Sequence, residues 1–239
     1  MDIALILSIF VLAGAVKGIS GLGLPTIGIA LLGLMFSPAE AAALLVAPSL
    51  LTNVWQAWGG GASLMLLARR LWPLLAGIVA GTALGGALAV DAAFARLILA
   101  EVLMLYAMLG LLDFSPRMAP WAEPVLAPLS GLAAGALAAV TGVFVIPVVP
   151  YLQALRLERD HLVQALGLCF TVSTLALGLM LAEHGALALP QLGLSLWATL
   201  PAVLGMMLGG KIRRRIPPLI FRRGFFVFLF AIGVHLLLS

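Results

Sequence analysis

The sequence predicts an all-α fold: a polytopic membrane bundle of helices arranged as two related repeats. Three observations carry this. Hydrophobic residues make up 64% of 239 positions and charged ones 9%, against about 25% charged in an ordinary soluble domain. Uncharged stretches at Leu71–Val90, Leu162–Ala182 and Gly185–Gly210 each reach the length of about 20 residues that a helix needs to cross about 30 Å of hydrocarbon. Two more, Ala41–Ala68 and Pro124–Leu155, are longer than one crossing requires. Too few polar residues remain for a hydrated shell, which excludes a soluble enzyme, a disordered chain and a secreted disulfide scaffold.

The third observation is internal repetition. Placing Ser20-Gly21 over Thr141-Gly142 brings Ala39-Glu40-Ala41 over Asp160-His161-Leu162 and Leu51-Thr52-Asn53 over Val172-Ser173-Thr174. Further along, Gly81–Gly86 matches Gly205–Gly210, and each half closes on one more apolar segment, Leu97–Leu112 and Gly224–Leu238. The expected units are therefore 1–112, a polar linker 113–123, and 124–239. Each unit reads as a broken or re-entrant first element plus three spanning helices. In the first unit Ile3–Val16 runs into Gly18-Ile19-Ser20-Gly21-Leu22-Gly23-Leu24-Pro25, where glycine entropy and proline's missing donor interrupt a helix. The following Thr26–Phe36 is too short to cross alone. The counterpart, Val125–Val149, is interrupted by Thr141-Gly142, Pro147 and Pro150.

Charge sets the expected orientation. With inverted repeats one face collects Arg69, Arg70, Arg117, Arg156, Arg159, Lys211, Arg213, Arg214, Arg215, Arg222 and Arg223, and the other keeps Arg96 alone. Parallel repeats split the cations less cleanly. The inverted reading makes the Arg69/Arg70 loop and the Lys211–Arg223 loop cytoplasmic. The net charge of +4 follows from this bias and does not point to nucleic acid. Ala13-Gly14-Ala15 resembles a cleavage site, but the preceding segment carries Asp2 and no cation, so the start reads as retained. Cys169 is the single cysteine, so there is no intrachain disulfide.

Candidate chemistry lies in the few polar residues inside apolar segments. Lys17 stands immediately before the first break, where a charge costs a few kcal/mol or more. Either it snorkels or pairs with a carboxylate such as Glu101, or it attracts an anion beside freed backbone N–H groups. Ser20, Gly21, Gly23 and Pro25, with Thr141, Gly142 and Pro147, form the two breaks and read as a substrate path or as close-packing sites. Thr52, Asn53 and Gln56 share one face of the following helix, and Thr171, Ser173 and Thr174 hold the corresponding place. Such hydroxyls commonly bond back to their own helix. Glu101 is a lone carboxylate read as one turn into its helix, a candidate to carry a coupling H+ or Na+. Gly77, Gly81 and Gly85 read as helix packing, and Trp55, Trp58, Trp72 and Trp121 as an aromatic belt. Motifs for metal, nucleotide or nucleophile are absent from the sequence, so no cofactor or catalytic residue is expected.

At these residues the chain resembles the sulfite exporter TauE/SafE family of membrane permeases. The features are Gly18–Pro25, Ser37-Pro38-Ala39-Glu40-Ala41 and Leu50-Leu51-Thr52-Asn53, then Val140-Thr141-Gly142, Pro147 and Ile216-Pro217-Pro218. The second half departs from the family where Val143-Phe144-Val145 stands in place of a glycine cluster. The resemblance implies a secondary transporter of sulfite, sulfonates or other organosulfur or organic anions in a bacterial inner membrane. The sequence shows no ATP-binding motif, so coupling is expected to an ion gradient or to the membrane potential, by alternating access of one half against the other, with a homo-oligomer left open. The rival readings are a membrane assembly subunit without transport and a membrane-embedded enzyme.

Overall fold

The computed structural model describes residues 3–59, 63–88, 90–114, 117–213 and 215–238. Asp2, Arg214 and the Ser115-Pro116 part of the linker lie outside the described residues. Among the described residues the chain is helical, with no strand. The order is α1 (Ile3–Ser20), α2 (Leu24–Leu32), α3 (Pro38–Trp58), α4 (Leu64–Gly86) and α5 (Ala92–Leu111). A 3₁₀ turn at Pro120–Ala122 leads into α6 (Glu123–Thr141), α7 (Val148–Ala154), α8 (Arg159–Glu183), α9 (Leu189–Ile212) and α10 (Pro218–Leu238). Among the described residues six spans are long and apolar enough to cross a membrane: α4, α5, Pro120–Thr141, α8, α9 and α10, with α1 a shorter apolar helix. The chain is a multi-pass integral membrane protein.

Each boundary has a local cause. α1 ends where Gly21 takes a left-handed φ of 75°, and α6 ends at Gly142 with φ 74°, a conformation that glycine adopts without steric cost. Pro25 opens α2 in its first turn rather than breaking it, because the first turn needs no N–H from that residue. Pro150, expected to interrupt, likewise sits in the first turn of α7. α3 begins with a capping box: Ser37 N–H donates to Glu40 Oε2 at 2.9 Å, and Glu40 N–H donates to Ser37 Oγ at 3.4 Å.

Two expectations need correction. Arg69 and Arg70 do not form a loop; α4 starts at Leu64 and carries both in its second turn. Nor does Glu101 lie one turn into its helix. Asp91 caps α5 by accepting from Phe94 N–H at 2.8 Å, which puts Glu101 at the middle of the helix, exposed.

Helix directions follow from the close glycine contacts. A methyl on Gly14 or Gly18 of α1 would overlap Ala202 and Met206 of α9, and one on Gly205 or Gly209 of α9 would overlap Val11 and Ala15 of α1. Contacts that advance together make the two helices parallel. Gly77, Gly81 and Gly85 of α4 meet Pro128, Leu132 and Ala136 of α6 in the same way. α3 and α8 are antiparallel, since Gly167 meets Ala57 while Gly178 meets Val46. α5 and α10 are antiparallel too, with Gly110 on Phe226 and Gly233 on Met104. Connectivity then brings the ends of α1, α3, α5 and α9 to the face where α4, α6, α8 and α10 begin. Arg69, Arg70, Arg156, Arg159, Lys211, Arg213, Arg222 and Arg223 lie at that basic face, and Arg96 at the opposite one.

Packing crosses the middle of the sequence. The first helix of each half packs on the fourth helix of the other, α1 on α9 and α6 on α4, while α3 packs on α8 and α5 on α10. These interfaces are built on glycine because backbones approach closely without a hydrophobic drive inside lipid.

Candidate functional site

The two breaks are built alike. Ser20 Oγ donates to Val16 O at 2.8 Å and accepts from Leu22 N–H at 3.1 Å. Thr141 Oγ1 donates to Leu137 O at 2.7 Å and accepts from Val143 N–H at 3.1 Å. Gly21 N–H donates to Lys17 O and Gly142 N–H to Ala138 O, at 2.7 and 2.8 Å. Each hydroxyl therefore stops its helix by replacing backbone partners.

Their surroundings differ. A cavity of about 530 Å³ opens at the basic face and reaches Ile19, Ser20 and Leu22 at the first break. Its walls include Val149, Pro150 and Gln153 around α7, Val163 and Leu166 of α8, and a cluster of rings at the ends of α5 and α10. Tyr106 meets Phe226 edge-on at 5.2 Å between ring centres, and Phe225 meets Phe226 at 5.0 Å. Arg156, Arg159, Arg213 and Arg222 line it, with Asp113 as the acidic residue among the lining groups; Arg222 donates to Asp113. Cations in excess around an opening raise the local concentration of anions. The second break is closed: Thr141 through Ile146 are all buried, and Gly142 is covered by Ile29 of α2 and Ala42 of α3.

Lys17 lies just inside the first break and is 3% exposed. It neither snorkels nor meets a carboxylate; its ammonium donates to Asn53 Oδ1. Asn53, fully buried, donates in turn from Nδ2 to Thr174 Oγ1 at 3.2 Å. When protonated, a buried lysine held by a neutral acceptor has no counter-charge, which favours an anion nearby. Gln56, one turn beyond Asn53, donates to Val163 O at 3.0 Å, and its amide lies beside Gly21. Val163 in turn lines the cavity, so Gln56 links the first break to the cavity wall.

The remaining candidates divide. Thr52, Thr171 and Thr174 donate to carbonyls one turn back, at 2.7 Å each. Ser173 is buried with no hydrogen-bond partner for its hydroxyl, and so is Ser49. Gly23 is the left-handed N-cap of α2 at φ 118°, followed by buried Pro25, and Pro147 is the N-cap of α7. Glu101 lines no part of the cavity and has no ion pair with Lys17 or Arg96. Ser49, the ring cluster and the cavity arginines carry no motif that marks them in the sequence as part of a site. The arginines were legible only as topology signals, because residues from three separate segments converge there. No group of His, Cys, Asp or Glu among the described residues could hold a metal.

The family description "Sulfite exporter TauE/SafE" matches residues 6–236. The chain belongs to that family. As a TauE/SafE protein it is a membrane transporter of a sulfite exporter family and not an enzyme. No curated protein and no solved structure gives a significant match. In this TauE/SafE chain Ile19, Ser20 and Leu22 of the Gly18–Pro25 segment line a cation-rich cavity, and Ser37–Glu40 is a helix cap outside its lining.

Proposed function

We propose that this protein moves small organosulfur anions, sulfite and sulfonates among them, by alternating access between two inverted repeats, 1–112 and 124–239. The observation that carries the reading is the unequal state of two equally built breaks. The first floors a cavity open at the basic face; the second is buried. An alternating-access carrier caught open to one side would look like this. The exchange of partners between halves supports it, because α1 on α9 and α6 on α4 make a matched pair of interfaces that can rock together. The cation bias makes the basic face cytoplasmic.

In this mechanism the arginines gather the anion and it descends to Ser20 and Leu22. Displacement of the Gln56–Val163 bond then opens the way to Lys17. Asn53, Thr174 and the free hydroxyls of Ser49 and Ser173 supply further donors. Movement of α2 and α7 then closes the first break and opens Thr141-Gly142. Without a nucleotide-binding unit in the sequence, the driving force is an ion gradient or the membrane potential. The test is uptake or release of radiolabelled sulfite and small sulfonates by proteoliposomes holding the purified protein. Saturable flux above protein-free vesicles supports the proposal; equal flux for every anion tried removes it and favours an assembly subunit.

A further inference from the structure

A second recess faces the bilayer. It is an apolar groove of about 370 Å³ between α1 and α10, with Leu12 and Val16 on one side, Ile220, Gly224 and Phe228 on the other, and Ile27 of α2 also lining it. In the other half α5 packs on α6, whereas the corresponding pair α1 and α10 makes no comparable contact. The groove is the space left between them. It runs for about 12 Å along α10, enough for much of an acyl chain. Ile216, Phe221 and Phe225 line both this groove and the cavity, so a shared aromatic wall separates lipid from the anion path.

Two cations adjoin the groove on the basic-face side in the sequence of its lining residues. Arg215 directly precedes Ile216, and Arg223 precedes Gly224; both are exposed, as is Lys211. No ion pair reaches Arg215 or Arg223 among the described residues. An apolar slot open to the membrane, with Arg215 next to its first lining residue on α10's approach and Arg223 next to Gly224, matches one ligand chemistry. We propose that the groove is a binding site for an anionic phospholipid, one acyl chain lying against Gly224 and the phosphate held by Arg215 and Arg223. The lipid would back the Phe221–Phe225 wall and keep the cavity sealed from the bilayer.

The test is native mass spectrometry of the full chain in non-ionic detergent, with phosphatidylglycerol or phosphatidylcholine added. The expected result is preferential retention of phosphatidylglycerol, weakened about fivefold for each of Arg215→Gln and Arg223→Gln. Gly224→Trp, whose side chain has open space to enter, should fill the groove and remove the bound lipid. Arg69→Gln, an exposed cation of the same face outside the groove, should change nothing. Equal retention of the two lipids by the wild type overturns the proposal, as does an unchanged preference in the arginine variants. An equal loss in Arg69→Gln also overturns it, by reducing the effect to general surface charge.

Discussion

Asn53 and Thr174 hydrogen-bond to each other across the α3–α8 contact, and the spacing that carries Ser20 onto Thr141 carries Asn53 onto Thr174. A pair that is its own image lies on the axis of any two-fold relating the halves. Lys17 attaches to this pair from one side only, because Ala138 stands at its counterpart. Matched positions in the two halves thus meet at this contact, while the charge beside them belongs to the first half alone.

Asn53 should tell the fold from the charge. Asn53→Ala strands the Lys17 ammonium and should lower stability by about 1–3 kcal/mol. Asn53→Asp supplies a carboxylate, so the protein should stay folded in thermal unfolding while anion flux collapses. Full flux in Asn53→Asp would show that the free charge of Lys17 is irrelevant.

The crossed interfaces should be equally sensitive. Gly81→Leu and Gly205→Leu each drive a side chain into a neighbouring backbone and should destabilise by about 1–3 kcal/mol or misfold the chain. Gly210→Leu, with nothing near its Cβ, should melt like the wild type. Comparison of melting temperatures in detergent decides this.

Accessibility should follow the two breaks. Ser20→Cys should react with a polar thiol reagent applied at the basic face, whereas Thr141→Cys should be protected from both faces until substrate is added. The native Cys169 is buried, so background labelling is low. Reaction of Thr141→Cys at rest would show that the second break is not closed.

Much of this architecture was legible. Glycine, proline and a hydroxyl mark both breaks because left-handed backbone and helix termination demand those residues, and the Gly77-Gly81-Gly85 stripe announced close packing. The start of α4 was not legible. Hydropathy drops at Arg69 and Arg70, but a helix continues through long basic side chains whose heads reach water. Glu101 was misplaced for the same reason, since α5 begins at the Asp91 cap and not at the first apolar run. The partner of Lys17 was hidden for another reason: a buried lysine suggests a carboxylate, and only the fold brings the neutral Asn53 to it.

Glu101 gives a direct check on that placement. Exposed at the middle of α5 and outside the cavity, it should not serve the anion path. Glu101→Gln should leave flux within about twofold of wild type and should hold or raise the melting temperature, since a charge facing lipid at mid-span costs about 2.5–3.5 kcal/mol. A large loss of proton- or sodium-driven flux would return Glu101 to a coupling role.

The claim at the centre is that the uncompensated charge of Lys17 carries the anion through the first break. Sulfite or sulfonate flux into proteoliposomes, compared between wild type and Lys17→Ala at equal insertion, tests it most directly. Lys17→Ala should insert and fold normally and transport nothing above empty vesicles. Unchanged flux in that variant would contradict it.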